Sequence, residues 1–444
     1  LSRPSAIAAT EECLAAARDP RGEGVRVYTE LFDQAAIAEA RAADERRARG
    51  AVPRALEGLP ISVKDLFDIE GSVTRAASAA LPDAVPAKAD AAAIARLRAA
   101  GAIILGKTNM TEFAYSGLGL NPHFGTPLNP FDRAARRIPG GSSSGAAVSV
   151  GDRMALAGIG SDTGGSVRIP AALCGLTGWK PTASRVSREG VYPLSTSFDS
   201  IGPIAADIAC CALIDGILSG DPASPPQRRE DLRGARFALP SPLLSADVDR
   251  TVGAAIERTL SALSRAGARL EELPLPEIAQ VPATGAGVVI VGAEAYSWHR
   301  ANIAARGELY DPRVRARIER GAAYSAWEYL DALRCRSANI EAARRALQGF
   351  DAWLMPTVPM VAPRIADLEA DEAYVETNKL MLRNSSIVNF LGGCAASLPC
   401  HAPGEAPVGL TCAALGGADR PLLAVAAALE RAIGHAGAAG AGYL

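Results

Sequence analysis

Lysine and histidine are scarce in this chain of 444 residues, with five lysines (64, 88, 107, 180, 379) and four histidines (123, 299, 401, 435). The remainder of its 46 basic residues are arginine, so each retained lysine invites a reason. An excess of charge is missing too. The basic residues are matched by 48 acidic ones, for a formal net charge of −2, which provides no basic field for a dedicated nucleic-acid binder. No uninterrupted apolar run reaches the roughly 18 residues that a membrane span needs, and no basic segment leads into an apolar one at the start, as a secretory signal would require. The eight cysteines (13, 174, 210, 211, 335, 394, 400, 412) show no metal-like spacing. These absences lead us to expect a reduced, cytoplasmic chain with buried thiols and no metal. The chain begins at Leu1 rather than Met, which leaves open a preceding segment.

What is present fits a globular α/β protein, with 49% hydrophobic and 21% charged residues. Segments 5–18 and 33–49 read as Ala-rich helices, and "LPISVKDLFDI" (59–69) as an alternating strand-like run. "DAAAIARLRAAGAIILGKTNMTEFAY" reads as helix, glycine stop, strand "AIIL" and a further helix; the first three recur at 251–276. This phrase predicts a layered α/β design, with helices covering a sheet. Segment 120–140 reads as loop, and strands are predicted at "MALAGI", "TGWKPT", "AWLMPTVP" and "AASLPC", with helices around 290–347 and 420–435. One large domain (1–444) is expected, with a pliable Pro-rich connection at 219–234. The Arg-dense runs 41–50 and 313–320 read as solvated helix faces.

The least ordinary stretch is "RIPGGSSSGAAVSVGD" (137–152). Nearby "GAIILGKT" matches a phosphate-loop pattern, but Ala-Ile-Ile-Leu forms an extended strand of about 13 Å, which cannot wrap a phosphate. "GSSSG" matches a nucleophile-elbow pattern pointing to Ser143, yet no hydrophobic strand precedes it and no histidine sits in a suggestive context. A flexible linker would stay polar for longer before "AAVSV".

A second Gly/Ser stretch, "GIGSDTGGSVRIPAALCG" (158–175), places two glycines beside a serine. Backbone N–H groups clustered there can hold a developing oxyanion. A serine needs a base, and Lys64, between Val63 and Leu66 in a strand-like run, is a candidate. Burial lowers a lysine's pKa from about 10.4 toward neutrality. A lysine extending from an edge strand into water is the competing interpretation.

"GLPISVKD", "PGGSSSG" and "GSDTGGSVRIPAALCGLTGWKPT", with the flanking "GAIILGKTNMTEFAYSG", "SFDSIGP" and "NFLGGCAASLPC", together resemble the amidase signature family of serine hydrolases. The match is colinear from about Gly58 to Pro203, and the flanking pieces extend it over most of the chain. The resemblance implies a central mixed β-sheet covered on both faces by α-helices, with a signature core at about 58–205 and a portion 235–444 completing the sheet and the pocket. It implies Ser166 as nucleophile, Ser142 as bridging serine on a cis peptide from Gly141, and Lys64 as base. The backbone N–H groups of Thr163, Gly164, Gly165 and Ser166 would hold the oxyanion, and Ser143, Asp162 and Arg168 would organise the two loops.

Lys107 and Lys180 are expected to be structural, and Cys174 a buried, unreactive thiol. Ser144 and Ala146 depart from the family's commoner Gly and Ser in this loop. Tyr115, Leu118 and Asn121 are candidate pocket residues, with a contribution from "NKLMLRNSS". The implied reaction is hydrolysis of a small carboxylic or urea-derived amide through an acyl-enzyme, without metal or organic cofactor. The alternative is an ammonia-supplying A-like subunit of a glutamine-dependent amidotransferase. The partner implied is the amide itself, with neither nucleic acid nor membrane, and a homodimer is left open.

Overall fold

Short runs of small and branched apolar residues supply the strands. The computed structural model describes residues 5–221 and 229–434, and among these, eleven strands form one sheet. In chain order they are β1 (Tyr28–Leu31), β2 (Pro60–Lys64), β3 (Ile103–Thr108), β4 (Ala157–Asp162), β5 (Thr177–Lys180), β6 (Ser200–Ala205), β7 (Arg236–Pro240), β8 (Arg269–Leu273), β9 (Ala352–Pro356), β10 (Cys394–Pro399) and β11 (Gly409–Ala414). Across the sheet they run β1-β3-β2-β4-β6-β5-β10-β11-β9-β7-β8.

The sheet is mixed. β3, β2 and β4 are parallel neighbours, as are β8, β7 and β9. Antiparallel pairs connect these two blocks through β6, β5, β10 and β11. Every residue of β2, β3, β4, β6, β10 and β11 is buried, which requires cover on both faces. The helix–glycine–strand phrases form as read, with Ala92–Ala99 leading to β3 and Arg250–Arg265 leading to β8. No helix among the described residues is long and apolar enough to cross a membrane.

Several expectations change. The run 59–69 does not alternate, because β2 is covered on both faces and ends at Lys64, whose carbonyl accepts the N–H groups of Leu66 and Phe67. β3 extends past "AIIL" to Thr108, pairing with Lys64 across the ladder. The segment after it forms only a 3₁₀ turn, Glu112–Ala114. Its backbone is drawn to neighbours instead, Thr111 N–H to Ser142 O and Phe113 N–H to Ala76 O. The Arg run at 313–320 is more than a solvated face. Val314 and Ile318 are buried, while Arg313 and Arg317 lie over the rings of Tyr374 and Tyr115. Of the connection expected at 219–234, residues 222–228 lie outside the described residues; Leu232 beyond them is buried in the main core.

This topology positions the site. β2, β3 and β4 bring their carboxyl ends to one edge, so Lys64, Thr108 and Asp162, the last residues of the three strands, lie together. Crevices at the carboxyl ends of parallel strands are where α/β sheets bind ligands. Ile61 lies beneath this edge, fully buried in β2. Ile61→Ala is expected to lower stability by about 2–5 kcal/mol, read as a shift in the urea unfolding midpoint at unchanged slope.

Candidate active site

Lys64 is 0% exposed. Its Nζ donates to Ser142 Oγ at 2.7 Å and to Ser161 Oγ at 2.9 Å. Burial pulls its pKa down to about 7, against the opposing pull of the Asp199 and Asp162 carboxylates. An amine that titrates near neutrality can take a proton at physiological pH.

The first Gly/Ser stretch is held by backbone contacts. The Gly141–Ser142 peptide is cis. Gly141 N–H donates to Gly117 O at 2.8 Å, and Ser142 O accepts Thr111 N–H at 3.1 Å. A Cβ at Gly141 would sit 2.6 Å from Gly119 N, so no other residue fits there. Ser143 occupies the N-cap position of the helix Ser144–Gly151, and its N–H donates to Ser166 O at 3.2 Å. Ser142, Ser143 and Ser144 are all buried.

The second stretch turns around Asp162. This carboxylate accepts from Gly165 N–H (2.8 Å) and Val167 N–H (3.2 Å), and from Arg168 through Nε and Nη2 (both 3.0 Å). Burial would raise the Asp162 pKa, but Arg168, with help from Lys180 and Asn389, holds it well below the usual carboxylate range. The expectation that Gly165 offers its N–H to an oxyanion does not hold, because Asp162 takes that N–H. Gly165 instead supplies the turn: its φ is 128°, and a Cβ would lie 2.2 Å from Ser385 Oγ. Ser166 is 3% exposed. Lys64 and Ser142 are therefore directly joined, whereas the two serine loops meet through backbone.

Four supporting residues were not singled out from sequence. Ser161 is the second acceptor for Lys64. Asp199 accepts Thr163 Oγ1–H at 2.5 Å. Ser385 Oγ–H donates to Gly164 O at 2.7 Å, and Asn389 Nδ2–H donates to Asp162 O and Oδ1 at 3.0 and 2.9 Å. All four lie inside segments quoted above, but only the fold shows what they touch.

Of the expected pocket residues, Asn121 is a correction. Its amide is consumed by the carbonyls of Ala77 and Met110 and the N–H groups of His123 and Phe124. Leu118 is likewise buried in a cluster with Ile138 and Ile169. Tyr115 lies under Arg317. The segment 378–386 does reach the site, as Leu382 and Ser386 are the nearest side chains over Gly164. Lys107 donates to Val73 O and Thr74 Oγ1, and Lys180 to Pro181 O and Gly393 O. Burial pushes the Cys174 thiol well up. His123 pairs with Glu112, His299 with Tyr310, and His401 Nδ1 accepts Val408 N–H; His435 lies outside the described residues.

A family model described as Amidase matches residues 9–423. The chain belongs to the amidase family. The 2-amino-5-chloromuconic acid deaminase of Comamonas testosteroni is 36% identical over 86% of this chain and 82% of that protein. The A subunit of the glutamyl-tRNA(Gln) amidotransferase of Moorella thermoacetica is 33% identical over 92% of this chain and 89% of its own length. A solved amidase superposes with a TM-score of 0.87 at 34% identity, over 96% of both chains. The chain is accordingly a hydrolase of amide-type C–N bonds, on an α/β amidase fold.

Within this amidase site the Asp162–Arg168 pair is fully buried on both sides. Asp162→Asn leaves the guanidinium uncompensated and is expected to cost about 3–5 kcal/mol, measured by chemical denaturation at pH 7. Because folding lowers the Asp162 pKa from about 3.9 in the unfolded chain, the pair's contribution is complete above that value. It is lost as pH falls through the folded pKa. The gap between wild type and variant is expected to narrow below about pH 4.

Proposed function

We propose that the chain hydrolyses a small carboxylic or urea-derived amide through an acyl-enzyme on Ser166, with Ser142 and Lys64 as its proton relay. The observation that carries this reading is the buried Lys64 Nζ, 2.7 Å from Ser142 Oγ, with its pKa brought to about 7. Neutral Lys64 has two N–H bonds and one lone pair. Ser161 Oγ accepts one N–H, which leaves the lone pair for Ser142. Lys64 takes the Ser142 proton as Ser142 takes that of Ser166, and Ser166 Oγ bonds to the amide carbonyl carbon. The N–H groups of Thr163, Gly164 and Ser166 receive the oxyanion. The C–N bond then breaks, and the proton returns through Ser142 to the leaving nitrogen. Water repeats the sequence on the ester, releasing the acid and restoring Ser166.

The free, largely buried cysteines support a reducing compartment, and we place the chain in the cytoplasm as a single domain built on its continuous sheet. The likeness to an amidotransferase component over most of the chain favours one second reading, an A-like subunit that supplies ammonia to a partner. Ammonia release by the isolated chain separates the two. The screen covers aliphatic, aryl, carboxylated and ureido amides, and turnover without a partner is expected. Ser166→Ala and Lys64→Ala are expected to lower kcat by about three orders of magnitude or more; full turnover by either variant would overturn the relay. In wild type, kcat/KM is expected to fall as pH drops through about 7, where Lys64 gains its proton. A rate unchanged between pH 5 and pH 9 would remove Lys64 as base.

A further inference from the structure

A base that becomes a cation inside a protein needs a negative charge near it, and the two carboxylates that act on Lys64 differ in availability. Both are buried. Asp162 is committed, with its oxygens shared between Arg168, Asn389 and backbone N–H groups. Asp199 accepts Thr163 Oγ1–H at 2.5 Å on one oxygen and the N–H groups of Leu194 and Ser195 at 2.9 and 3.0 Å on the other. Among the described residues no arginine or lysine lies within ion-pair distance of it. Burial raises the Asp199 pKa, against the pull of these three donors and of Arg188, which acts from farther off and donates its own Nη1–H to Thr196 O. The groups in contact with Lys64 Nζ, Ser142 and Ser161, are neutral.

The segment that presents Asp199 is itself anchored. Glu294, on the helix Ala286–Arg306, accepts the hydroxyls of Ser195, Ser197 and Tyr329 and the N–H of Ser197. A line of contacts therefore runs from Glu294 through Ser195 and Asp199 to Thr163, at the start of the loop that carries Ser166.

We propose that Asp199 is a positioning residue for the amidase reaction, holding the Thr163 corner of the nucleophile loop and serving as the counter-charge against which Lys64 takes up its proton. The end of β4 links the two residues: Ser161 Oγ accepts from Lys64 Nζ and, two residues on, Thr163 Oγ1–H donates to Asp199, so Asp199 acts on the amine without touching it, unlike the carboxylate of a Ser-His-Asp triad. The inference rests on the Ser166–Ser142–Lys64 reading.

The test is the pH dependence, from 5 to 9, of the rate at which a fluorophosphonate labels Ser166. Labelling forms the Ser166 O–P bond, expels fluoride and passes the serine proton through the relay to solvent. For Asp199→Asn the plateau rate is expected to fall tenfold or more. Its acidic limb is expected to move down by about one pH unit, since removing an anion makes the ammonium harder to form. Thr163→Val, which cuts the tether but keeps the charge, is expected to lower the plateau and leave the limb in place. Asp199→Glu keeps the charge and is expected to keep the limb, and it decides the matter if Asp199→Asn does not fold. An Asp199→Asn profile that superimposes on wild type, or an Asp199→Glu limb displaced by a full unit, would overturn the proposal. Failure of the underlying reading looks different: Ser166→Ala would still be labelled, or Lys64→Ala would keep the wild-type rate.

Discussion

Burial of an amine at the end of a central strand is the constraint from which the rest of the site follows. Lys64 closes β2 between two parallel neighbours, with its side chain fully buried. Desolvation disfavours the ammonium, and the groups placed against Nζ are hydroxyls rather than carboxylates. A direct ion pair would instead hold the proton on the amine. The fold therefore keeps its carboxylates one step back, with Asp162 neutralised by Arg168 and Asp199 held by neutral donors.

The same constraint explains the small residues around it. Two loops must reach one strand end, and their backbones do most of the reaching. Gly141 lies against Gly119, and Gly165 turns beneath Ser385, each at a distance that a side chain would violate. Ser143 N–H then ties the first loop to the second through Ser166 O. Beside the local bonds to Asp162, hydrogen bonds from far away in the chain, at Ser385 and Asn389, hold the second loop in place. The carboxy-terminal part of the chain thus completes the site as well as the sheet.

Much of this was legible beforehand. The paired Gly/Ser stretches and the lysine in an apolar run indicated two loops and a buried lysine, and the helix–glycine–strand phrases marked two of the sheet's strands with their preceding helices. The misreadings share a cause. The run after β3 has helix-forming composition, yet its N–H groups are claimed by Ser142 and Ala76. Asn121 is polar and near the site in sequence, but four backbone groups consume its amide. Gly165 lies among the expected oxyanion donors, but its N–H is taken by Asp162. In each case a tertiary partner overrode the local tendency.

The sequence by itself determined the chemistry available: one serine beside two glycines, a second serine 24 residues earlier, and a lysine inside a largely apolar run. Residue type and spacing carry that information because conformational freedom and nucleophilicity are local properties. The tertiary structure alone decided which hydroxyls meet Lys64, which carboxylate is neutralised and which N–H groups are left for a substrate. Those are matters of distance and burial between segments as far apart as Asp162 and Asn389, and electrostatics in a buried site depends on both.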